Sequence, residues 1–244
     1  MSPFSLPTIA RILPPFVLLS AVLVGAQPVQ AGTETRAVSD FEAIALSGSI
    51  KVEVRQTGKE SVTVTADDKI LPLIETVVET GSAGRTLQVR VKRGASLSRG
   101  QETVLVSIEV ARLSSVSSSG AGTLLIDGLK TPGLKLAIAG AGNAKLRGLA
   151  AETFEVRIAG SGDLLAAGSA KQVRLNIAGS GDAAMSDLLA DDVKVSIAGS
   201  GEAQVHANKS LSANVVGSGD VQYRGAATDV HSSVMGSGRV KRMP

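Results

Sequence analysis

Residues 176–203 read NIAGSGDAAMSDLLADDVKVSIAGSGEA, and one phrase occurs twice in them: polar and apolar residues in alternation, then Ile-Ala-Gly-Ser-Gly, then an acid. Aligned on its first glycine, the phrase recurs at Gly120, Gly140, Gly160, Gly179, Gly199, Gly217 and Gly236, with spacings of 20, 20, 19, 20, 18 and 19 residues. A constant period over half a chain marks a solenoid, in which each repeat buries its apolar face only against its neighbours.

The pattern inside the period decides between helix and strand. Six, four and two residues before each glycine stand three apolar columns: Leu134, Phe154, Val173, Val193 and Leu211; Leu136, Val156, Leu175 and Val195; Ile138, Ile158, Ile177 and Ile197. A period of two places each column on one face of a strand. The positions between them carry Lys135, Glu155, Arg174, Lys194 and His231, or Ala137, Arg157, Asn176 and Ser196, and that face meets water. Alternation resumes after the glycines with Leu124 and Ile126, Leu164 and Ala166, Ala203 and Val205. Nine residues past the glycine come Leu129, Leu149, Ser169 and Leu188, expected to face inward, and then a stretch of uneven length. We therefore expect an all-β chain: a parallel β-helix of 19–20 residues per coil, with its length variation absorbed at the third corner.

Residues 1–31 read as a signal peptide, with Arg11 ahead of an apolar run from Phe16 to Ala26 and small residues at Val29 and Ala31. That run is shorter than the ~20 residues a membrane helix needs. Export, with no membrane insertion once the signal is removed, is the expectation, to the periplasm or the cell surface. The chain contains no cysteine, which excludes disulfides, thiolate metal sites and a lipidated N-terminal cysteine. Without Arg11 the chain has 24 basic and 22 acidic residues, a net charge of +2, too little to argue for nucleic acid. With no Trp, one Tyr and aromatic residues at 2%, it is also short of the flat rings on which sugar-binding clefts stack their ligands, which weighs against such a cleft.

Residues 32–112 are β-rich but lack the glycine phrase, and we expect them to cap one end of the repeats that occupy 113–244. Ser47-Gly48-Ser49 resembles a first, degenerate corner. Ile74 to Thr80 is expected to form a hairpin with Leu87 to Val91 around Gly81-Ser82-Ala83-Gly84, and Lys92 to Thr103 reads as a loop. Arg239, Lys241, Arg242 and Pro244 would blunt the other end against strand addition.

The acid that follows each glycine corner reads Asp163, Asp182, Glu202 and Asp220 in four successive repeats. Such an acid can hydrogen-bond the amides of its own turn, the role we prefer. The alternative is a column that binds a cation such as Ca²⁺, which requires several oxygen ligands. No other cofactor is indicated. His206 and His231 show no nucleophile and orienting partner around them, and the serines of the corner recur too often for one to be a unique nucleophile.

The segments Arg36-Ala37-Val38-Ser39-Asp40-Phe41-Glu42-Ala43-Ile44, Val52-Glu53-Val54-Arg55-Gln56 and Leu71-Pro72-Leu73-Ile74, followed by the repeated Ala-Gly-Ser-Gly-Asp, resemble the auto-transporter adhesin head domain, or head GIN domain, family. The resemblance runs from Arg36 to Val240. It implies a right-handed β-helix in exported bacterial proteins and supplies no catalytic residues. An auto-transporter carries a C-terminal membrane barrel. The chain stops at Pro244 without one, so a separate export route or a periplasmic life is expected.

The resulting expectation is a non-catalytic binding or scaffold protein of the cell envelope. Its outward face, with Lys135, Arg157, Arg174 and Lys194, would meet an envelope protein or a polysaccharide, and self-association through coil ends is a further expectation. The alternative is a carbohydrate-active enzyme, a polysaccharide lyase or hydrolase. Fold analogy is its only support, and coils of 18 to 20 residues leave little chain to wall a cleft.

Overall fold

A computed structural model describes residues 31–81, 84–95 and 104–243. The expected signal peptide falls, but for Ala31, outside the described residues, as do residues 96–103 of the expected loop and the two central residues of the expected hairpin turn. The chain is a β-solenoid of about six turns.

The repeats build four long, bent strands, β11 (Asn143–Gly160), β12 (Asp163–Gly179), β13 (Ala183–Gly199) and β14 (Glu202–Gly217). They follow β8 (Ser115–Gly120), β9 (Thr123–Asp127) and β10 (Lys130–Gly140), and precede β15 (Asp220–Arg224), β16 (Asp229–Gly236) and β17 (Arg239–Arg242). All pairings among them are parallel, and the register keeps Ile138, Ile158, Ile177, Ile197 and Val215 one above another. The three apolar columns are buried. Burial of that kind is the main force holding a tube whose separate coils could not fold alone.

Register shifts fall between Leu146 and Leu149, Leu165 and Ala167, and Met185 and Leu189, so most of the uneven coil length is taken up where the second strand passes into the third side, earlier than the expected third corner, which takes up the further shift between Ala190 and Asp192. One such shift corrects the inward column there. Leu149 pairs with Gly168, so Ser169 falls opposite the exposed Ala150 and is itself exposed, while Ala170 turns into the core.

The front of the chain comprises β1 (Ala31–Arg36), β2 (Ala43–Ser47), β3 (Lys51–Gln56), β4 (Ser61–Asp67), β5 (Ile74–Gly81), β6 (Gly84–Val91) and β7 (Leu105–Val110). Its strand order is not its chain order. β2 lies between β6 and β8, and β3 between β7 and β9, all in parallel. Residues 43–56 are therefore a coil of the stack itself, and the Gly48 corner, with φ +103°, donates its N–H to the Ser119 carbonyl at 2.9 Å. Antiparallel strands lie at that end: β5 on β6, as the expected hairpin, and β4 on β7 with β1 outside it. A 3-10 turn at Leu71–Leu73, with Pro72 at its second position, helps to bring Ile70, Leu71 and Ile74 into the core. The opposite end presents β16, exposed throughout, and the basic edge of β17.

No helix among the described residues is long and apolar enough to cross a membrane.

Candidate functional site

The glycine corners fix where every outward side chain stands. The first glycine of each corner has a positive φ, +122° at Gly160, and a Cβ there would stand 2.5 Å from the Gly140 carbonyl oxygen of the preceding coil. Only glycine combines that backbone with so close an approach. With the corners stacked, the outward positions before them fall into straight columns.

The first outward column runs Lys135, Glu155, Arg174, Lys194, Ser212 and His231, and the second Ala137, Arg157, Asn176, Ser196, Asn214 and Ser233. The third, against the corner, runs Ala139, Ala159, Ala178, Ala198, Val216 and Met235. The four cations singled out in the sequence thus share one side of the tube. Three are in one column and Arg157 is in the next, where it pairs with Glu155 at 2.7 Å.

Around the corner lies the acid row. The Glu202 N–H donates to Asp182 Oδ1 at 2.8 Å and the Arg239 N–H to Asp220 Oδ1 at 2.9 Å. Glu202 Oε1 accepts from the side-chain amides of Gln204 at 3.1 Å and Gln222 at 2.5 Å. Asp182 and Asp220 therefore bind the backbone of the following coil, not the amides of their own turn as expected. Among the described residues, no three His, Cys, Asp or Glu side chains come together as a metal-ligand set.

The histidines are on different sides. His231 pairs with Asp229 at 3.0 Å on the exposed terminal strand. His206, across the corner in β14, bonds Asn208 Oδ1 through Nε2 at 3.1 Å, and its Nδ1 is buried with no partner. The His206 side chain is thus half-buried. The next coil crosses directly over the ring, with Gly225 close against it.

Three features escaped sequence reasoning. Arg224 reaches over β14 to the bulge of β13, where its Nε donates to the Ser186 carbonyl at 2.8 Å and its other nitrogen pairs with Asp187. An apolar trough of about 700 Å³ runs along the third side, lined by Pro132, Ala150, Ala151, Ala170 and Leu189, with Lys130 at one end. Its flank carries the ion pairs Lys171–Glu152 at 2.8 Å and Lys209–Asp191 at 2.9 Å. The hydrogen bond to Lys171, and then its charge, hold the Glu152 carboxyl below its ordinary range; the corresponding bond and charge of Asp191 raise Lys209. A smaller hollow of about 400 Å³ exposes Leu165 between Asp163 and Asp182. The sequence signal for both hollows was the doublets Leu164-Leu165 and Leu188-Leu189, where alternation breaks and the second leucine is left outside.

The family model "Putative auto-transporter adhesin, head GIN domain" matches residues 40–227. No curated protein matches the chain. Among solved structures, "a putative adhesin" from Bacteroides fragilis NCTC 9343 is 26% identical with a TM-score of 0.80, over 88% of this chain and 97% of that one. A "putative lipid binding protein" from Parabacteroides distasonis ATCC 8503 is 25% identical with a TM-score of 0.71, over the same shares. "A putative adhesin" from Parabacteroides merdae ATCC 43184, 24% identical with a TM-score of 0.69 and again 88% and 97% covered, shares the fold.

Proposed function

The chain belongs to the auto-transporter adhesin head GIN domain family, and from that premise we propose that it is an exported, non-catalytic binding and scaffold protein of the cell envelope. The observation that carries this reading is the gathering of Lys135, Arg157, Arg174 and Lys194 on one side of the tube, where Lys194 borders a hollow shared with Asn176, Ser196 and Ser212. Charge displayed on a stiff surface favours recognition of an extended partner, because little side-chain or loop ordering remains to be done on binding. The adhesin-like relative from B. fragilis supports the same reading. Retention of the purified chain on isolated cell envelopes tests it. Salt-sensitive retention without release of new reducing ends from envelope polysaccharide is expected; absence of retention, or turnover, contradicts it.

The trough supports a second reading, an acyl chain laid against Leu189 with its anionic head toward Lys130. The P. distasonis relative, whose name speaks of lipid binding, favours it. Leu189 is 50% exposed, so Leu189→Glu leaves the fold intact and is expected to abolish binding of a fluorescent fatty acid. Unchanged binding by that variant removes this reading.

A further inference from the structure

The spacing of the cations bears on the chemistry and direction of what lies on this surface. This step rests on the reading of that side as the binding surface. Lys135, Arg157, Arg174 and Lys194 fall in four successive coils, one in each, because Arg157 stands level with Glu155 of the same strand. The axial step between coils is ~4.8 Å. Glu155 is engaged by Arg157 within its own coil, and the Arg157 side chain still exposes 71% of its surface. The coil on either side of these four is uncharged at the same three outward columns: Ser115, Ser117 and Ser119 before them, Ser212, Asn214 and Val216 after.

The floor beside the cations is flat. Ala139, Ala159, Ala178 and Ala198 are all exposed, so no side chain longer than a methyl group rises there across the four coils. A linear polymer can therefore lie parallel to the tube axis and meet a cation at every step. One that runs along a strand stays within one coil and meets a single cation before it leaves the face. The lane offers no aromatic anchor of the kind protein interfaces concentrate their affinity on, and no ring on which a nucleic-acid base could stack. It offers guanidinium forks, which match carboxylates in two-pronged fashion, and the hydroxyl and amide groups of Ser196 and Asn176, which suit sugar hydroxyls.

We propose that this lane binds a linear acidic polysaccharide along the tube axis, with carboxylates of successive sugars held at Lys135, Arg157, Arg174 and Lys194. The probe is a series of oligogalacturonates from one to eight sugars, titrated calorimetrically onto the full chain, with a neutral glucan of equal length as control. Affinity is expected to rise with each added sugar until the oligomer spans the four coils, and to level off beyond that length. Replacement of any one of the four cations by Gln is expected to weaken the octamer by about two- to fivefold. All four positions are exposed, so the variants fold. Affinity independent of length, equal binding of the neutral glucan, or no binding of the octamer overturns the proposal. If envelope retention persists and is lost on charge reversal of the four cations while the octamer does not bind, the surface stands and only its ligand class falls. If retention and octamer binding are both absent, the surface reading falls too.

Discussion

The γ2 methyl of Ile158 lies 2.7 Å from the point where a Cβ on Gly181 would stand. The second glycine of the corner is therefore a seat for the inward isoleucine of the preceding coil, and the same relation joins Ile138 to Gly162 and Ile197 to Gly219. Gly181→Ala is expected to cost about 1–3 kcal/mol by overpacking, against that methyl and against the Gly162 carbonyl oxygen, which lies near the same point. Gly128→Ala, in open space at φ +67°, should cost only the left-handed backbone term of about 1–2 kcal/mol. Urea denaturation of the two variants measures the difference, and a Gly181→Ala less destabilising than Gly128→Ala would refute the seat.

The inward columns differ in depth along the axis. Ile177, 2% exposed in the middle of the stack, should cost about 2–5 kcal/mol when cut to Ala. Val234, at a corresponding position of the terminal coil but 39% exposed, should cost less than about 1 kcal/mol. Thermal and urea unfolding of both variants checks the ratio.

Much of this was legible in the sequence, because a period-two pattern repeated at a fixed interval leaves little freedom of register. The Ile138 to Ile197 column and the hairpin of β5 and β6 both follow from local pattern, whereas the register shifts come one corner earlier than the repeat lengths suggest. The insertion of β2 and β3 between β6–β7 and β8–β9 did not, since any of those strands presents the same alternating face and parallel pairing leaves no local mark. Ser169 was misplaced because a one-residue shift reverses which side of a strand faces inward. The buried Nδ1 of His206 and the reach of Arg224 depend on the neighbouring coils lying over them, which no single repeat encodes.

The acids of the corner act as acceptors for the next coil. Asp182→Ala removes the partner of the Glu202 N–H and should cost about 1–2 kcal/mol, whereas Asp182→Asn keeps an acceptor oxygen and should cost clearly less. Titration with Ca²⁺ in a calorimeter should give no heat and no shift in melting temperature. Heat that disappears in Asp182→Asn would replace the structural role with a cation site.

Lys171 depresses the carboxyl of Glu152, so its contribution to stability is present above the ordinary glutamate range and is lost as pH falls through the lowered value in the folded protein. Carboxyl-carbon NMR titration should place the Glu152 midpoint below that of an unpaired glutamate, and Lys171→Ala should return it upward. An unchanged midpoint in that variant would show that the ion pair at 2.8 Å does not persist in solution.

On the proposed function, the cations of one side, and not the basic balance of the whole chain, hold the envelope partner. The direct measurement compares retention on cell envelopes of two variants with the same change in net charge. One reverses Lys135, Arg157, Arg174 and Lys194 to Glu; the other reverses Lys59, Lys69, Arg147 and Lys241, which are exposed elsewhere on the molecule. Loss of retention in the first and near-normal retention in the second are expected, and equal loss in both would remove the assignment of the partner to this side.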